Sequence, residues 1–482
     1  MCYNLNSLPC FVEKGSLPQP KLNKIMTCFS KNKAVWLGVV FVFLSGSVSA
    51  VFGQASRPVS QPIPLSTPLV KKTGSSMPVT APSAASASTR RTAFPVLADV
   101  EIPGYSGILV QDTNGNIVMD SNSNYAFNPA SNVKVATAFA VIKTFGPDYR
   151  FPTSVWTDGS FDQASGTLHG NLYVSGRDPV FNYEHAAALA SELNRMGVRN
   201  VNGDLIVTGD FVMNYSSSTE RAGASLAQTM DGAKRSVAAN RAWQNYLVNS
   251  GKVNTTNAFP SVSFAGSVYV QSIPTNAKLL FSHESTPIRE ILKTTLCYSN
   301  NYLAEKLGDM LGGAYAVARV VQMNAQIAPG EFMLQSSSGL GVNRVTPRAM
   351  MSLLQSLRKE LARNKMTFAD IMPVAGIDRG TLERRFDTDF SRGSVTGKTG
   401  TLPSTDGGVS SLAGEIQTKS GKLLFVIFNQ HGNVSRFRSF QNSLVSLIQG
   451  QLGGAAPITY KEVSLDRRLA NTRITYPDTR RN

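Results

Sequence analysis

The chain contains 482 residues, of which 42% are hydrophobic and 16% are charged. This length and composition predict a globular protein of two or three domains with a sizeable core. The formal net charge is +16, and a basic protein can bind nucleic acid, a membrane surface or an anionic polymer such as a cell wall. The lysines and arginines are scattered, and no RNP, zinc-finger or basic-helix motif accompanies them. We therefore predict a solvated basic surface and no nucleic-acid partner.

The N-terminal segment has the order of a secretory signal. Two lysines precede the apolar run 34–44, and small residues follow it, with Val48 and Ala50 at the −3 and −1 positions of a cleavage site. The apolar run is 11 residues long, whereas a membrane-spanning helix needs about 20. We therefore predict a signal region at residues 1–55 and a periplasmic location. The less favoured alternative is that residues 34–52 stay uncleaved as a membrane anchor.

Cysteine and histidine usage argues against disulfides and metals. Three of the four cysteines precede residue 30 and would leave with the signal, so the mature chain would keep Cys297 alone and could form no internal disulfide. We expect Cys297 to be a small buried hydrophobic residue. The four histidines show no His-Glu-x-x-His spacing, so we predict no metal site and no cofactor.

Composition divides the rest of the chain into segments. Residues 56–95 are rich in Pro, Ser, Thr and Ala and predict a disordered linker, so order should begin near its end. We assign 96–150 and 284–450 to one domain and 151–283 to an inserted α+β domain. The Arg-rich segment 451–482 is predicted to be a flexible tail.

Hydrophobic periodicity and turn residues predict the secondary structure. In chain order, the predicted elements are a strand hairpin (105–112 and 117–120), a helix over 130–145, many short strands interrupted by one helix near 184–196, helices over 287–311 and 347–363, two strands (407–416 and 422–429) and a last helix near 435–452. These elements predict a mixed α/β fold in which an antiparallel sheet is flanked by helices.

The helix predicted over 130–145 carries Ser131-Asn132-Val133-Lys134, a Ser-x-x-Lys sequence, in its first turn. Positions i and i+3 share a helix face, so the Lys134 amine can lie beside the Ser131 hydroxyl. A lysine can take the proton of a serine nucleophile if burial and nearby cations lower its pKa. Further Ser-x-x-Lys matches at 30–33 and 356–359 show that this motif is weak by itself.

Lys398-Thr399-Gly400 is a second element, just before the predicted strand pair. A lysine and a hydroxyl on an edge strand can bind the terminal carboxylate of a substrate while the strand backbone pairs with the peptide. Gly400 would let the substrate backbone approach closely. The same triplet also occurs at 72–74, inside the predicted linker, so it decides nothing alone.

Ser299-Asn300-Asn301 is a third element, at a break within helical sequence. A second hydroxyl can relay a proton to a leaving amine, and an amide side chain can hold the substrate backbone. A polar turn is the alternative interpretation. The sequence can also be read as Tyr298-Ser299-Asn300, a Tyr-x-Asn motif in which Tyr298 would be the relay.

Together the motifs resemble those of penicillin-binding protein 4-like D-alanyl-D-alanine carboxypeptidases and endopeptidases, peptidase family S13. Of the matches, only Ser131, Ser299 and Lys398 occur in the right order within folded segments of the expected type. Further similar segments are 176–179, 299–305, 338–340, 373–376, 380–382 and 397–402. The similarity of 299–305 favours Ser299 over Tyr298 as the relay.

The resemblance implies the catalytic roles. Ser131 would be acylated, Lys134 would be its base and Ser299 would relay a proton. The backbone amides of Ser131 and Thr401 would form an oxyanion hole, which contributes about 2.7–4 kcal/mol per donor in other enzymes.

The resemblance also implies the substrate contacts and the fold. Asn301 would hold the substrate amide, and Lys398 and Thr399 would hold the terminal carboxylate. Peptidoglycan peptides and β-lactams would be the partners, and the fold would be that of penicillin-binding transpeptidases and β-lactamases. Two departures from the family pattern, a short insertion and Ser336 in place of an acidic residue, bear on substrate preference.

Three rival functions are less consistent with the sequence. A β-lactamase shares the acylation chemistry, but no convincing Glu-x-x-x-Asn element follows Ser299. A catalytically idle wall-binding protein of the same fold is disfavoured by the intact set of motifs. A Ser–His–Asp protease is the least favoured, because no histidine lies in a recognisable triad context.

Overall fold

The computed structural model describes residues 90–253, 256 and 259–477. The predicted signal region and residues 56–89 of the predicted linker lie outside them. Regular structure is present before residue 96, where we predicted that order begins, because Arg91 and Thr92 pair with a strand of the main sheet. Within the described ranges, no helix has both the length and the apolar character needed to cross a membrane.

The described residues form eighteen strands. In chain order they are β1 (Arg91–Thr92), β2 (Tyr105–Asp112), β3 (Ile117–Ser121), β4 (Pro152–Thr157), β5 (Ser160–Asp162), β6 (Thr167–His169), β7 (Leu172–Gly176), β8 (Asn200–Asn202), β9 (Leu205–Val207), β10 (Ser263–Phe264), β11 (Val268–Val270), β12 (Lys278–Glu284), β13 (Phe332–Met333), β14 (Arg344–Val345), β15 (Val395–Leu402), β16 (Val409–Thr418), β17 (Gly421–Gln430) and β18 (Arg473–Thr475).

The described α-helices number eleven. They are α1 (Pro95–Ala98), α2 (Val133–Phe145), α3 (Tyr183–Arg195), α4 (Thr219–Met230), α5 (Val237–Ser250), α6 (Ile288–Tyr298), α7 (Asn301–Asp309), α8 (Gly313–Ala325), α9 (Pro347–Arg363), α10 (Val434–Gln451) and α11 (Leu465–Leu469). The predicted helices over 130–145, 184–196, 347–363 and 435–452 are confirmed, and the one predicted over 287–311 is interrupted at Ser299, where the sequence indicated a break.

A six-stranded sheet forms the centre of the molecule, with strand order β1-β3-β2-β17-β16-β15. Every neighbouring pair is antiparallel, as predicted. The first three strands come from the segment before α2, and the last three come from the C-terminal half of the chain. This pairing joins the two segments of the main domain and leaves β15 at the edge of the sheet.

Helices cover both faces of this sheet because the strands alternate apolar residues on two sides. In β17, Leu424, Val426 and Phe428 belong to the core cluster that contains α2, α6, α8 and α9. Phe425 and Ile427, which alternate with them, pack in the opposite cluster with α10. Burial of a large apolar side chain contributes about 1.5–3 kcal/mol, so this two-sided burial fixes the register of the sheet.

The segment between α2 and α6 contains two smaller mixed sheets, ordered β10-β8-β6-β5 and β11-β9-β7-β4-β12-β18. We expected one helix in this segment, and that expectation is wrong because α4 and α5 form in addition to α3. Both begin with a serine whose hydroxyl accepts a hydrogen bond from the backbone N–H three residues later, at Ser218 and Ser236. The buried face of α4 contains Gly223 and Thr229, and that of α5 contains Trp243 and Tyr246, which are residues of low or moderate helix propensity.

As far as the structure describes it, up to residue 477, the C-terminal segment is not the flexible tail that we predicted. It forms α11 and β18, and β18 pairs antiparallel with β12 at the edge of the second mixed sheet. Arg473 pairs with Glu284 at 2.6 Å, and Arg468 pairs with Glu290 at 2.7 Å. Two of the arginines that suggested a solvated tail, Arg468 and Arg473, therefore have carboxylate partners elsewhere in the fold.

Two histidines are buried in the core of the inserted segment. The rings of His185 and His283 lie 5.1 Å apart between centroids, and both contact Phe181. Burial lowers the pKa of both histidines, and the neighbouring His185 lowers the pKa of His283 further. Burial raises the pKa of Asp178, which lies nearby in the sequence, to about 7. This shift is in the opposite direction from the shifts of the two histidines.

We predict that His283→Leu weakens the acid sensitivity of the fold. A histidine kept neutral in the folded state but titrating near 6.5 when unfolded has its full stabilising effect above about pH 7 and loses it as the pH falls below that value. Removing His283 should therefore reduce the loss of unfolding free energy between pH 7.5 and 5 by up to about 2 kcal/mol, the most that one group titrating near 6.5 in the unfolded chain can contribute. Urea unfolding at both pH values measures this difference. The matched control replaces the exposed His169 with Gln, and an equal pH dependence in all three proteins would contradict the prediction.

Candidate active site

Ser131 lies in a short 3₁₀ turn, Ala130–Asn132, that leads directly into α2. The turn is fixed to the central sheet by two hydrogen bonds: Asn132 Nδ2 donates to Ser411 Oγ at 2.8 Å, and Ser411 Oγ donates to the Pro129 carbonyl at 2.7 Å. Ala130 has a φ of 47°, a left-handed conformation that a non-glycine residue rarely adopts. The backbone before the nucleophile is thus held in one strained shape by its contacts with β16.

The Lys134 amine lies 3.1 Å from Ser131 Oγ, as the Ser-x-x-Lys spacing predicts. The same Nζ donates to Asn301 Oδ1 at 2.7 Å and to the Ser338 carbonyl at 2.6 Å. A neutral lysine has two N–H donors and one lone pair. The two shorter contacts use both donors, so the lone pair of a neutral Lys134 faces the Ser131 hydroxyl.

Burial lowers the pKa of Lys134 to about 7, although the negative charge of Glu305 raises it in part. The side chain is 1% exposed, so water cannot stabilise the ammonium form. A substantial fraction of Lys134 is therefore neutral near pH 7, which is the form that can accept a proton from Ser131.

Glu305 is a site residue for which the sequence motifs predicted no role. Its carboxylate accepts hydrogen bonds from the backbone N–H groups of Ser337 at 3.1 Å and Ser338 at 3.0 Å. These bonds hold the loop whose Ser338 carbonyl accepts from Lys134. The spacing of Asn301 and Glu305 on α7 was the one signal in the sequence, because residues i and i+4 share a helix face.

Ser299 lies between α6 and α7 with a φ of 55°, and this left-handed residue ends α6. Ser299 lines the same cleft as Ser131, as expected for the relay residue. The segment after Gly380 closes against this turn, since the Thr381 N–H donates to the Cys297 carbonyl at 3.0 Å. A Cβ on Gly380 would lie 2.2 Å from that carbonyl, so only glycine fits there.

Lys398 reaches the site from the edge strand β15, but its amine does not line the cleft. The side chain is fully buried, and Nζ donates to Ser299 Oγ at 2.9 Å and to the Thr399 carbonyl at 2.6 Å. Burial, followed by the positive charge of Lys134, lowers the pKa of Lys398 well below its usual value. Lys398 thus contacts the hydroxyl of Ser299, which lines the cleft, and the binding of a substrate carboxylate by Lys398 stays a prediction.

Thr399 and Thr401 both line the cleft and are two residues apart on β15. Gly400 between them packs closely against the neighbouring segment. A Cβ there would lie 2.2 Å from Ser411 Oγ and 2.7 Å from the Pro129 carbonyl. Gly400 thus admits the protein's own backbone next to Ser131, and its predicted contact with the substrate backbone stays a prediction.

A buried ion pair holds the turn before Ser299 in place. Lys293 of α6 is fully buried and lies 2.6 Å from Asp378 Oδ2. The same carboxylate oxygen accepts from the Val374 N–H at 2.7 Å, and Tyr460 donates to the other oxygen at 2.9 Å. Breaking such a pair on one side leaves an uncompensated buried charge, which costs about 3–5 kcal/mol. The pair thus ties the segment that contains Val374 and Asp378 to α6.

The structure brings the predicted residues together in one cleft of about 720 Å³. Ser131, Ser299, Asn301, Thr399 and Thr401 line it, and the amines of Lys134 and Lys398 lie behind the serines. Cys297 lies outside this lining and is fully buried, and burial raises the pKa of its thiol to about 12. In the described part of the chain, no group of three or more His, Cys, Asp or Glu side chains could hold a metal ion. Such an arrangement can carry out acyl transfer to a serine activated by a lysine.

Comparisons with known proteins agree with this geometry. The profile of the D-Ala-D-Ala carboxypeptidase 3 (S13) family matches residues 95–223 and 258–449. A D-alanyl-D-alanine carboxypeptidase of Actinomadura sp. is 25% identical over 462 residues, covering 75% of this chain and 84% of that protein. D-alanyl-D-alanine carboxypeptidase DacB of Haemophilus influenzae is 24% identical over 393 residues, covering 62% of this chain and 79% of that protein.

A solved structure shares the fold. Bd3459, a predatory peptidoglycan endopeptidase from Bdellovibrio bacteriovorus, superposes with a TM-score of 0.64 at 23% identity, covering 78% of this chain and 100% of that chain. Bd3459 is also known in a penicillin G-acylated form. Because the family profile spans most of the chain and the motif residues converge on one cleft, the chain belongs to the D-Ala-D-Ala carboxypeptidase 3 (S13) family of peptidases.

Proposed function

We propose that the protein is a serine-type D-Ala-D-Ala carboxypeptidase and endopeptidase that acts on peptidoglycan stem peptides through an acyl-enzyme at Ser131. The observation that carries this proposal is the buried Lys134 amine, with a pKa of about 7, at 3.1 Å from Ser131 Oγ in an open cleft. The names of the Actinomadura and Haemophilus relatives support the substrate class.

In the first half-reaction, neutral Lys134 takes the proton of Ser131 as Oγ attacks the carbonyl carbon of the penultimate D-Ala. The resulting oxyanion is stabilised by the backbone amides of Ser131 and Thr401, two residues that line the same cleft. The peptide C–N bond then breaks. The proton taken by Lys134 passes to the leaving amine through the Ser299 hydroxyl, which gives one proton and receives one and also accepts a hydrogen bond from Lys398. Lys134 is therefore neutral again and Ser299 is unchanged.

In the second half-reaction, a water molecule attacks the ester carbonyl and transfers its proton to Lys134, and Ser131 Oγ leaves with a proton returned by the same amine. Asn301 holds the substrate amide by donating a hydrogen bond from Nδ2. Its side-chain oxygen already accepts a hydrogen bond from Lys134. Thr399 and Thr401 present their hydroxyls to the terminal carboxylate of a carboxypeptidase substrate.

A β-lactam would acylate Ser131 by the same first step, with the amine of the opened ring kept in the product. The penicillin G-acylated form of Bd3459 supports this expectation.

We also propose that the N-terminal sequence exports the protein to the periplasm, where its substrate lies, and that membrane attachment would occur only through an uncleaved signal. The Lys31 and Lys33 pair before the apolar run supports export.

Ser131→Ala should abolish covalent labelling by fluorescent penicillin. The acyl bond requires the Ser131 hydroxyl, so the wild type becomes labelled and the variant stays at background in a denaturing gel. The matched control is Ser356→Ala, which removes the serine of the other described Ser-x-x-Lys sequence and should label normally. An unlabelled wild type or a labelled Ser131→Ala variant would refute the assignment. Rapid steady turnover of nitrocefin would instead favour a β-lactamase.

Acylation should become faster as the pH rises through about 7. Only neutral Lys134 accepts the Ser131 proton, and its pKa is about 7, so the second-order rate constant should fall nearly tenfold per pH unit well below that value and level off above it. Stopped-flow acylation by a chromogenic β-lactam between pH 5 and 9 measures the profile. A rate that is constant across this range, or that rises toward acid pH, would exclude Lys134 as the base.

Glu305→Gln should slow acylation and shift this pH profile toward acid. The carboxylate raises the pKa of Lys134 and holds two backbone N–H groups, whereas a glutamine is neutral and has one acceptor oxygen. We expect about a tenfold lower rate, in keeping with the loss of one charged hydrogen bond. The matched control is Asp309→Asn on the exposed side of α7. A slower acylation rate with an unshifted inflection in the pH profile would show that Glu305 has only a structural role.

A further inference from the structure

The cleft continues beyond the catalytic serines to a wall of three arginines. Arg438 comes from α10, while Arg384 and Arg385 come from the loop that follows Gly380. One cavity of about 720 Å³ contains these side chains as well as Ser131 and Ser299. A single departing alanine would occupy only a small part of this space.

The arginines have no carboxylate partners among the described residues. Arg438 Nη2 donates to Thr401 Oγ1 at 2.9 Å. Arg385 Nη2 donates to Gln441 Oε1 at 3.1 Å and to Asn442 Oδ1 at 2.7 Å, both neutral acceptors. By contrast, Arg436 on the same helix as Arg438 pairs with Glu101 at 3.2 Å. The wall therefore carries a net positive charge that the protein itself does not neutralise.

One acidic residue, Glu383, lies in the same lining, and it does not cancel this charge. Its carboxylate accepts from the Gly380 N–H at 3.4 Å and lies outside ion-pair distance of the three arginines. Burial, followed by repulsion from Arg438, lowers the pKa of Arg385 to about 10. Arg385 stays cationic at neutral pH. An anion bound beside it would offset both its desolvation and its repulsion from Arg438.

The position of the wall points to the departing side of the substrate. The loop that carries Arg384 and Arg385 begins at Gly380 and Thr381, and Thr381 is hydrogen-bonded to the α6 end just before Ser299. Ser299 is the group that would give its proton to the leaving amine. Arg438 contacts Thr401, which would lie beside the carboxylate next to that amine.

We propose that Arg384, Arg385 and Arg438 form a subsite for a carboxylate carried by the departing peptide. This inference rests on the proposed function and deepens it. The substrates favoured by such a subsite have a leaving residue with an anionic extension, as in a cross-link where the departing amine belongs to a second acidic stem peptide. The guanidinium groups offer paired N–H donors that match a carboxylate.

Two synthetic substrates test the proposal with the full-length enzyme. They share one acyl half ending in D-Ala, and their leaving residue is either D-Glu or D-Gln, which differ by one charge at equal size. We expect the wild type to cleave the D-Glu substrate with about tenfold higher kcat/KM, mainly through a lower KM, as for a charged hydrogen bond in a partly enclosed cleft. Mass spectrometry of the released amino acid measures both rates.

Variants assign this preference to the arginines. Arg384→Gln and Arg438→Gln should each reduce it, and the double variant should bring the two kcat/KM values together. Arg438→Lys should keep most of it. The matched control Arg436→Gln removes an arginine from α10 outside the cleft and should leave the preference unchanged. Both side chains chosen for replacement are exposed, so these variants should fold.

Equal cleavage of the two substrates by the wild type would overturn the subsite, as would a preference that persists in the double variant. If the wild type is labelled by penicillin at Ser131 and cleaves both substrates equally, the subsite fails while the proposed function stands. If the wild type is not labelled and cleaves neither substrate, the proposed function itself fails and the subsite falls with it.

Discussion

The chemistry depends on keeping the Lys134 amine out of water while giving it two good acceptors. Asn301 Oδ1 and the Ser338 carbonyl, at 2.7 and 2.6 Å, take both donors of the neutral amine and direct its lone pair to Ser131. Burial makes the neutral form accessible near pH 7. The acceptors come from α7 and from the loop held by Glu305, so the reactivity of one helix turn depends on two other parts of the chain.

The fold brings these parts together by joining distant segments in one antiparallel sheet. β2 and β17 pair over eight residues, which joins the segment before α2 to the C-terminal strands. β15 then lies at the edge beside Ser131, and Gly400 lets the two backbones touch. The Lys293–Asp378 pair, which is fully desolvated, holds the turn that presents Ser299. Specific geometry at the site thus rests on polar contacts that contribute little net stability by themselves.

The basic side chains of the cleft differ in their access to solvent and therefore in their protonation. The two lysines nearest the reacting hydroxyls are buried and have lowered pKa values, which suits them to move protons. The arginines farther along the cleft stay cationic, which suits them to bind an anion. Lys398 belongs to the first group, because its side chain is fully buried and its amine is hydrogen-bonded to Ser299.

The sequence by itself determined the acyl-transfer class, because three motifs occur in the right order, and most helices and strands of the central fold, because apolar periodicity is local. It did not reveal α4 and α5, whose buried faces include residues of low or moderate helix propensity, or the described part of the C-terminal segment, where Arg468 and Arg473 pair with distant carboxylates. Only the tertiary structure decided that Lys398 is one hydroxyl away from the cleft, that Gly400 faces the chain itself and that Glu305 supports the base. Those facts depend on contacts between residues far apart along the chain, and neither periodicity nor motif spacing encodes such contacts.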